Sequence, residues 1–464
     1  MSQSANYPKR PNRQPQSGGS SPSPWQQAQQ NSAKENSAKG NSTKASNQSR
    51  PKSSVGIGHR EFGKPSRSPN TQWQMATESG NTSLTLHRYP ADRQHVSLQA
   101  WDAADELLIH HLRERLAETP LPTSANIVIL NDDFGALACA LLSELFSDLL
   151  NKETNQYTLT WQSDSYIARR GCLQNLSKNK LPTAQITLID SMTPLPDKID
   201  LALIKLPRSH ALLEHQLASL QHCSVEVIAA GKVKAVQTSV LQLFERYLGT
   251  TTTSLAVKKA RLIFSQNDQQ APQLPSPYPT IWKTDAPELI LHNHANVFSR
   301  AQLDIGARLL LDHLPDCNDK TVIDLGCGNG VLGLRVLQQN QPEKLLFVDE
   351  SAMAIASTKQ NVAINFAASL SRCDFVSSDC LSAIPEQKAH VVLCNPPFHQ
   401  QNTLTDHIAW QMFQHAQRAL HPGGELRVVA NRHLLHHDKL KRLFGSYQVV
   451  ASDQKFSILS VINK

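Results

Sequence analysis

"TVIDLGCGNGVLGLRVLQQ", residues 321–339, decides the fold. It begins as a β-branched apolar strand, turns on Gly326, Gly328 and Gly330, and continues with the apolar spacing of a helix. A strand that runs through glycines into a helix opens a βαβ unit. Glycine is required there where the turn needs positive φ or where a ligand must lie against bare backbone. The spacing is not that of a dinucleotide fingerprint, because the third glycine of G-x-G-x-x-G would fall on Val331.

Downstream spacing narrows the ligand. Asp349 closes the next strand, in "LLFVDES", 19 residues after Gly330, where a carboxylate can take both hydroxyls of a ribose. Asp379 follows the short strand "DFV", where a side chain borders an adenine ring. Either acid alone could be a helix-capping carboxylate; both in this order, behind the glycine loop, favour an adenosine ligand. Next, "VVLCNPPFHQ" (391–400) ends a buried strand on Asn395-Pro396-Pro397-Phe398. In an open α/β sheet, ligands gather at the carboxyl ends of the strands. The amide oxygen of Asn395 and the rigid carbonyl of Pro396 are two acceptors, matched to the two N–H groups of an exocyclic amine. Phe398 is expected to stack on the base, which must arrive single-stranded or flipped.

The same alternation of strands and helices occurs twice. "IVIL" (127–130), "LALIKL" (201–206) and "VEVIAA" (225–230) precede a Gln-, Pro- and Ser-rich segment, 265–280. "TVIDL" (321–325), "KLLFVD" (344–349), "HVVLC" (390–394) and "ELRVVA" (425–430) follow it. Setting Gly135 over Gly330 aligns "IVILNDDFGALA" (127–138) with "VIDLGCGNGVLG" (322–333), and "DLALIKLP" (200–207) then matches "HVVLCNPP" (390–397). The Gly-to-Pro intervals are 72 and 67 residues, so a duplication is expected. The fold class is therefore α/β: two tandem Rossmann-like domains, 81–264 and 281–464, joined by a linker at 265–280, each a doubly wound parallel sheet.

Composition separates a tail from this body. Residues 1–80 carry 11 Lys and Arg against 3 Asp and Glu, whereas the other 384 residues carry 35 against 36. The tail, rich in Ser, Asn, Gln, Pro and Lys, cannot offset its ordering entropy and is expected to be disordered. Its charge suits either loose contact with phosphates or simple solubilisation. No run approaches the roughly 18 apolar residues of a membrane helix, and no secretory h-region is present. Eight cysteines without a C-x-x-C pair read as reduced core residues of a cytoplasmic protein. His292, His294, His433, His436 and His437 lack Cys or carboxylate neighbours at ligand spacing, so no metal is expected.

Longer strings carry a family resemblance. "DLGCGNGVLGL", "VDES" and "NPPFHQ" resemble class I S-adenosylmethionine-dependent methyltransferases that modify exocyclic amines. "SLTLHRYPA", "LQAWDAADELL", "LNDDFGALACAL", "TTTSLAVKKARLI", "HNHANVFSRAQLDIGARLLLDHLP" and "NPPFHQQNTLTDHIAWQMFQHA" resemble the bacterial large-subunit ribosomal RNA guanine-N2 methyltransferases of the G type, over about residues 82–464. The resemblance implies S-adenosylmethionine as cofactor and N2-methylation of one guanine in 23S ribosomal RNA. It assigns Gly326, Gly328 and Gly330 to the methionine end of the cofactor, Asp324 to its amino group, Asp349 to the ribose and Asp379 to the adenine edge. Asn395, Pro396, Pro397 and Phe398 fall on the catalytic motif, and Phe298 on a segment that covers the cofactor.

The first copy departs from the pattern. Asn131, Asp132 and Asp133 stand where glycines would be, and Lys205-Leu206-Pro207 replaces Asn-Pro-Pro. This copy is expected to be degenerate, to bind no cofactor, and to support the fold or grip RNA through "AGKVKA" (230–235) and "VKKAR" (257–261). Three alternatives share these motifs: a small-subunit (16S) guanine-N2 methyltransferase, a protein-glutamine or DNA-adenine methyltransferase, and a non-catalytic RNA-binding assembly factor. The sequence leaves the target nucleotide and the oligomeric state open.

Overall fold

A computed structural model describes residues 70–77, 80–90, 98–146, 157–267, 269, 273–285, 288–397, 403–434 and 436–464. Most of the expected tail, residues 1–69, lies outside the described residues, as does Phe398. The described chain opens with an antiparallel hairpin, β1 (Gln72–Thr77) and β2 (Gly80–Thr85). Its first strand falls inside the stretch 1–80 assigned to the tail. Composition averaged over that stretch hides one short alternation, Trp73 and Met75, which turns inward. Trp73 is buried and stacks on Trp101 at 5.9 Å between ring centroids.

The first half continues through α1 (Ala103–Glu118), β3 (Ala125–Leu130), α2 (Ala136–Leu141), β4 (Tyr157–Ser163), α3 (Tyr166–Lys178), β5 (Ile186–Asp190) and β6 (Leu201–Lys205). It closes with α4 (His210–Leu220), β7 (Val225–Lys232), α5 (Thr238–Leu248), β8 (Thr251–Thr253) and β9 (Ala260–Asn267). The sheet order is β5-β4-β3-β6-β7-β9-β8. The five strands from β5 to β7 run parallel, and β9 and β8 are antiparallel additions.

The second half repeats the plan. A hairpin of β10 (Thr280–Asp285) and β11 (Glu288–Asn293) leads to α6 (Ile305–Leu311), β12 (Thr321–Leu325), α7 (Val331–Gln339), β13 (Lys344–Asp349), α8 (Ala352–Asn365) and β14 (Cys373–Ser377). Then come β15 (Ala389–Cys394), α9 (Thr403–Ala419), β16 (Leu420–Asn431), α10 (His436–Phe444), β17 (Gln448–Ser452) and β18 (Phe456–Ile462). The order β14-β13-β12-β15-β16-β18-β17 is that of the first sheet, element for element. Each sheet is thus mixed rather than wholly parallel, because β9 and β18 run antiparallel to both of their neighbours. Strand direction leaves no mark on an apolar run, so the sequence could not distinguish the two.

Burial on both faces explains the near-continuous apolar strands. Val322, Leu345, Val391 and Leu393 pack into one face of the second sheet, and Ile323, Leu346, Val348 and Val392 into the other. At roughly 1.5–3 kcal/mol for each fully buried aliphatic side chain, these layers fix the strand ends on which a site can stand.

Duplication extends to side chains. Asn175 Nδ2 donates to the carbonyls of His87 and Phe134, and Asn361 Nδ2 to those of His292 and Asn329. One turn later, Asn179 brackets Thr85 as Asn365 brackets Ile290, each taking an N–H and donating to a C=O. In both halves these paired asparagines fasten the hairpin to the helix after the second sheet strand. The segment read as a linker is partly strand and partly docked: β9 runs to Asn267, and Leu274 N donates to Gln221 Oε1. The Tyr278 hydroxyl donates to Glu214 on α4.

Candidate active site

Four parallel strands of the second half, β12 to β15, end at one edge of the sheet, with Leu325 level with Val348 and Cys394. The expected residues follow directly. Gly326, Gly328 and Gly330 have φ of 75°, 56° and 81°, a region that L side chains enter at a cost of about 1–3 kcal/mol. Gly330 is the N-cap of α7, and a Cβ there would lie 2.7 Å from Thr358 Cγ2. A Cβ on Gly328 would meet nothing within 4 Å, so the loop's bare backbone opens onto free space.

Asp324 is wholly buried at the end of β12. Its Oδ2 accepts from Gly333 N at 2.9 Å, while Oδ1 has no partner. Burial pushes this carboxyl up to about 7, the Gly333 amide opposes the rise, and the Asp349 charge adds to it. An orphaned buried carboxylate oxygen costs free energy until a donor arrives, so Asp324 fits an incoming ammonium. Asp349 ends β13; its Oδ2 accepts from Gly328 N at 2.9 Å and its Oδ1 from Ser351 N at 3.0 Å. Burial raises its pKa as well, against those amides. Asp379, buried beyond β14, accepts from Gln411 Nε2 at 2.9 Å.

Asn395 follows β15. Its Nδ2 donates to Asp304 Oδ2 at 3.3 Å, and its Oδ1 is a second buried acceptor without a partner. Pro396 is buried beside it and Pro397 half-buried. Phe298 stands 57% exposed, two residues beyond Asn296, whose Nδ2 is tied to Asp164 of the first half. Sequence reasoning missed Asp304 and Gln411, which touch Asn395 and Asp379. Asp304 had a legible signal, an Asp directly before an apolar helix, and it caps α6 through Ala307 N at 2.9 Å.

At the corresponding edge of the first half, charged side chains pair within the fold. Lys205 takes the place of Asn395, and its ammonium pairs with Asp105 at 2.7 Å and Asp102 at 2.9 Å. Asp132 Oδ2 accepts from Ala138 N at 3.0 Å, the third residue of α2, as Asp324 Oδ2 accepts from the third residue of α7. One acid in the loop thus does for this helix what the strand-end acid does for its counterpart. The basic stretches 230–235 and 257–261 lie side by side, with Val233 N donating to Lys259 O at 2.9 Å. Among the described residues no helix is long and apolar enough to cross a membrane.

Comparison with known proteins agrees with this division. The RLMG N-terminal domain family matches residues 74–269, and the methyltransferase small domain family residues 288–460. A Pseudoalteromonas atlantica protein named ribosomal RNA large subunit methyltransferase G is 52% identical over 390 residues, covering 82% of this chain and 97% of its own length. The protein of that name from Erwinia tasmaniensis is 48% identical over 386 residues, covering 82% and 97%. Among solved structures, a T. Thermophilus 16S rRNA N2 G1207 methyltransferase in complex with AdoMet and guanosine superposes with a TM-score of 0.61 at 19% identity, covering 85% of this chain and 98% of that one, a likeness of fold. Matched along both halves by relatives of one name, the chain belongs to the ribosomal RNA large subunit methyltransferase G family.

Proposed function

We propose that the second half methylates the exocyclic N2 of a guanine in 23S ribosomal RNA, with S-adenosylmethionine as methyl donor. One observation carries the chemistry: the buried Asn395 Oδ1, at the strand edge that holds the glycine loop, has no partner. Bound there, the cofactor supplies a sulfonium-activated methyl group. Asp324 Oδ1 meets its ammonium, the backbone of Gly326, Gly328 and Gly330 lets its methionine end approach, and Asp349 and Asp379 take the ribose and the adenine edge. Phe298 closes over it.

Asn395 Oδ1 and the Pro396 carbonyl accept the two hydrogens of the guanine N2. Holding both in fixed geometry favours the pyramidal amine, whose lone pair faces the methyl carbon; positioning then supplies much of the rate. Transfer would form the N2–methyl bond as the methyl–sulfur bond breaks, leaving a thioether, and the N2 ammonium then gives its extra proton to water, so no side-chain base is needed. Pro396 and Pro397 keep the acceptors rigid, and Phe398 stacks on the base. The first half contributes scaffold and, through Lys232, Lys234, Lys258 and Lys259, charge for the RNA backbone. Family membership supports the choice of large-subunit RNA.

Methyl transfer from labelled S-adenosylmethionine to deproteinised ribosomal RNA from cells lacking the gene tests this. Nucleoside digestion should yield N2-methylguanosine from the large-subunit RNA. Label confined to small-subunit RNA, or to another nucleoside, contradicts the reading.

A further inference from the structure

We propose that Asp304 is a positioning residue that sets which end of the Asn395 amide faces the substrate, an inference that rests on the assignment of Asn395 to the guanine amine. A carboxylate oxygen that already takes an amide N–H from Ala307 accepts, so the end of the amide within 3.3 Å of Asp304 Oδ2 is Nδ2. Oδ1 is thereby turned away, buried and without a partner. With the amide reversed, an N–H group would face the N–H groups of the guanine amine, and one of the two acceptors would be lost.

Asp304 is well placed to impose this. Its Oδ2 also accepts from Ala307 N, and its carbonyl from Arg308 N at 2.9 Å, so the carboxylate is fixed to the first turn of α6. That helix packs against β16 and β18 of the same sheet.

The first half retains the same pair in altered chemistry. Asp102 is the N-cap of α1, which precedes the first sheet strand there and packs against β7 and β9, as α6 packs against β16 and β18. Its Oδ1 lies 2.9 Å from Nζ of Lys205, the residue in the place of Asn395. In both copies, then, the carboxylate that caps the entry helix reaches the residue at the end of the fourth sheet strand. Where that residue is an ammonium, it pairs with the cap carboxylate of Asp102 and with Asp105. Where it is an amide, the carboxylate takes the donor and leaves the acceptor for a ligand. The duplicated contact has become an orienting device in one half and an ion pair in the other.

Asp304→Ser separates this role from helix capping, because serine is also a good N-cap but its hydroxyl is one bond shorter and can donate as readily as accept. In the full-length chain, Asp304→Ser should keep its melting temperature and its S-adenosylmethionine Kd within about twofold of wild type, while single-turnover transfer to guanine N2 falls about 10- to 100-fold. Asp304→Asn, which caps and can accept but does not dictate the orientation, should fall between. Combined with Asn395→Ala, Asp304→Ser should add no further loss, since there is no amide left to orient. A wild-type transfer rate in Asp304→Ser overturns the inference, as do losses that multiply in the double variant. A wild-type protein that methylates no guanine N2 would overturn the reading of Asn395 and this inference with it, a result distinct from either.

Discussion

Ser165 and Ser351, each the N-cap of a helix, face each other across the boundary between the halves as an isolated antiparallel bridge. The contacts around them repeat by a local two-fold. Tyr166 N donates to Glu350 O and Ala352 N to Asp164 O; the Ser165 hydroxyl donates to Glu350 Oε2 and the Ser351 hydroxyl to Asp164 Oδ2. Ser351 also gives its amide to Asp349, so the first half holds the turn that carries the expected ribose ligand.

Asp164 is the main fastening in that boundary. Only 4% exposed, it accepts from Ser191 Oγ, Met353 N, Ser351 Oγ and Asn296 Nδ2 at 2.5–2.8 Å. Asp164→Ala strands these donors and should cost about 3 kcal/mol in chemical denaturation. Ser165→Ala, which removes one cap and one mirror contact, should cost about 1 kcal/mol. Equal losses for the two would contradict the asymmetry.

The two helix-start glycines should respond differently. Gly135 and Gly330 share φ near +80°, and an added Cβ would lie 2.7 Å from Cys172 Cα and from Thr358 Cγ2 respectively. Either alanine variant should lose about 2 kcal/mol or more from strain and crowding. Only Gly330→Ala should also weaken cofactor binding, read by calorimetry on the folded protein; a matching loss in Gly135→Ala would mean that the first half takes part in the site.

Asp324 gives the proposed cofactor site a pH dependence of definite sign. With its carboxyl pushed up to about 7, much of the apoprotein holds a proton there at neutral pH. Because the folded pKa is raised, this group favours folding at acid pH, and that contribution fades as pH rises from about 4 through 7. An ammonium at Oδ1 prefers the ionised form, so S-adenosylmethionine affinity should rise from pH 6 to 8 with proton release, seen as a buffer-dependent binding enthalpy. Asp324→Asn should bind more weakly and lose this slope. A slope retained in that variant would locate the titrating group elsewhere.

Much of this site was legible because its residues answer local demands. Gly326, Gly328 and Gly330 satisfy a turn of positive φ, and Asp349 ends a strand at a fixed distance behind them. Asn395 announces itself by stopping an apolar strand with a polar amide. Asp304 is different: its capping role is local, but its second partner lies 91 residues away, and nothing near 304 in the sequence points to Asn395. The asparagine pairs 175/179 and 361/365 look like exposed helix positions until the hairpins they fasten are in place. Lys205 shows in the sequence only as a departure from Asn; its pairing with two acids depends on where the start of α1 lies in the fold.

The role of the Asn395 amide is best measured in Asn395→Ala, by cofactor titration and turnover on the same preparation. One S-adenosylmethionine per chain is expected, with a Kd within about twofold of wild type and N2-methylation of guanine reduced by about a hundredfold or more. Turnover close to wild type, or two cofactors per chain, would contradict this expectation.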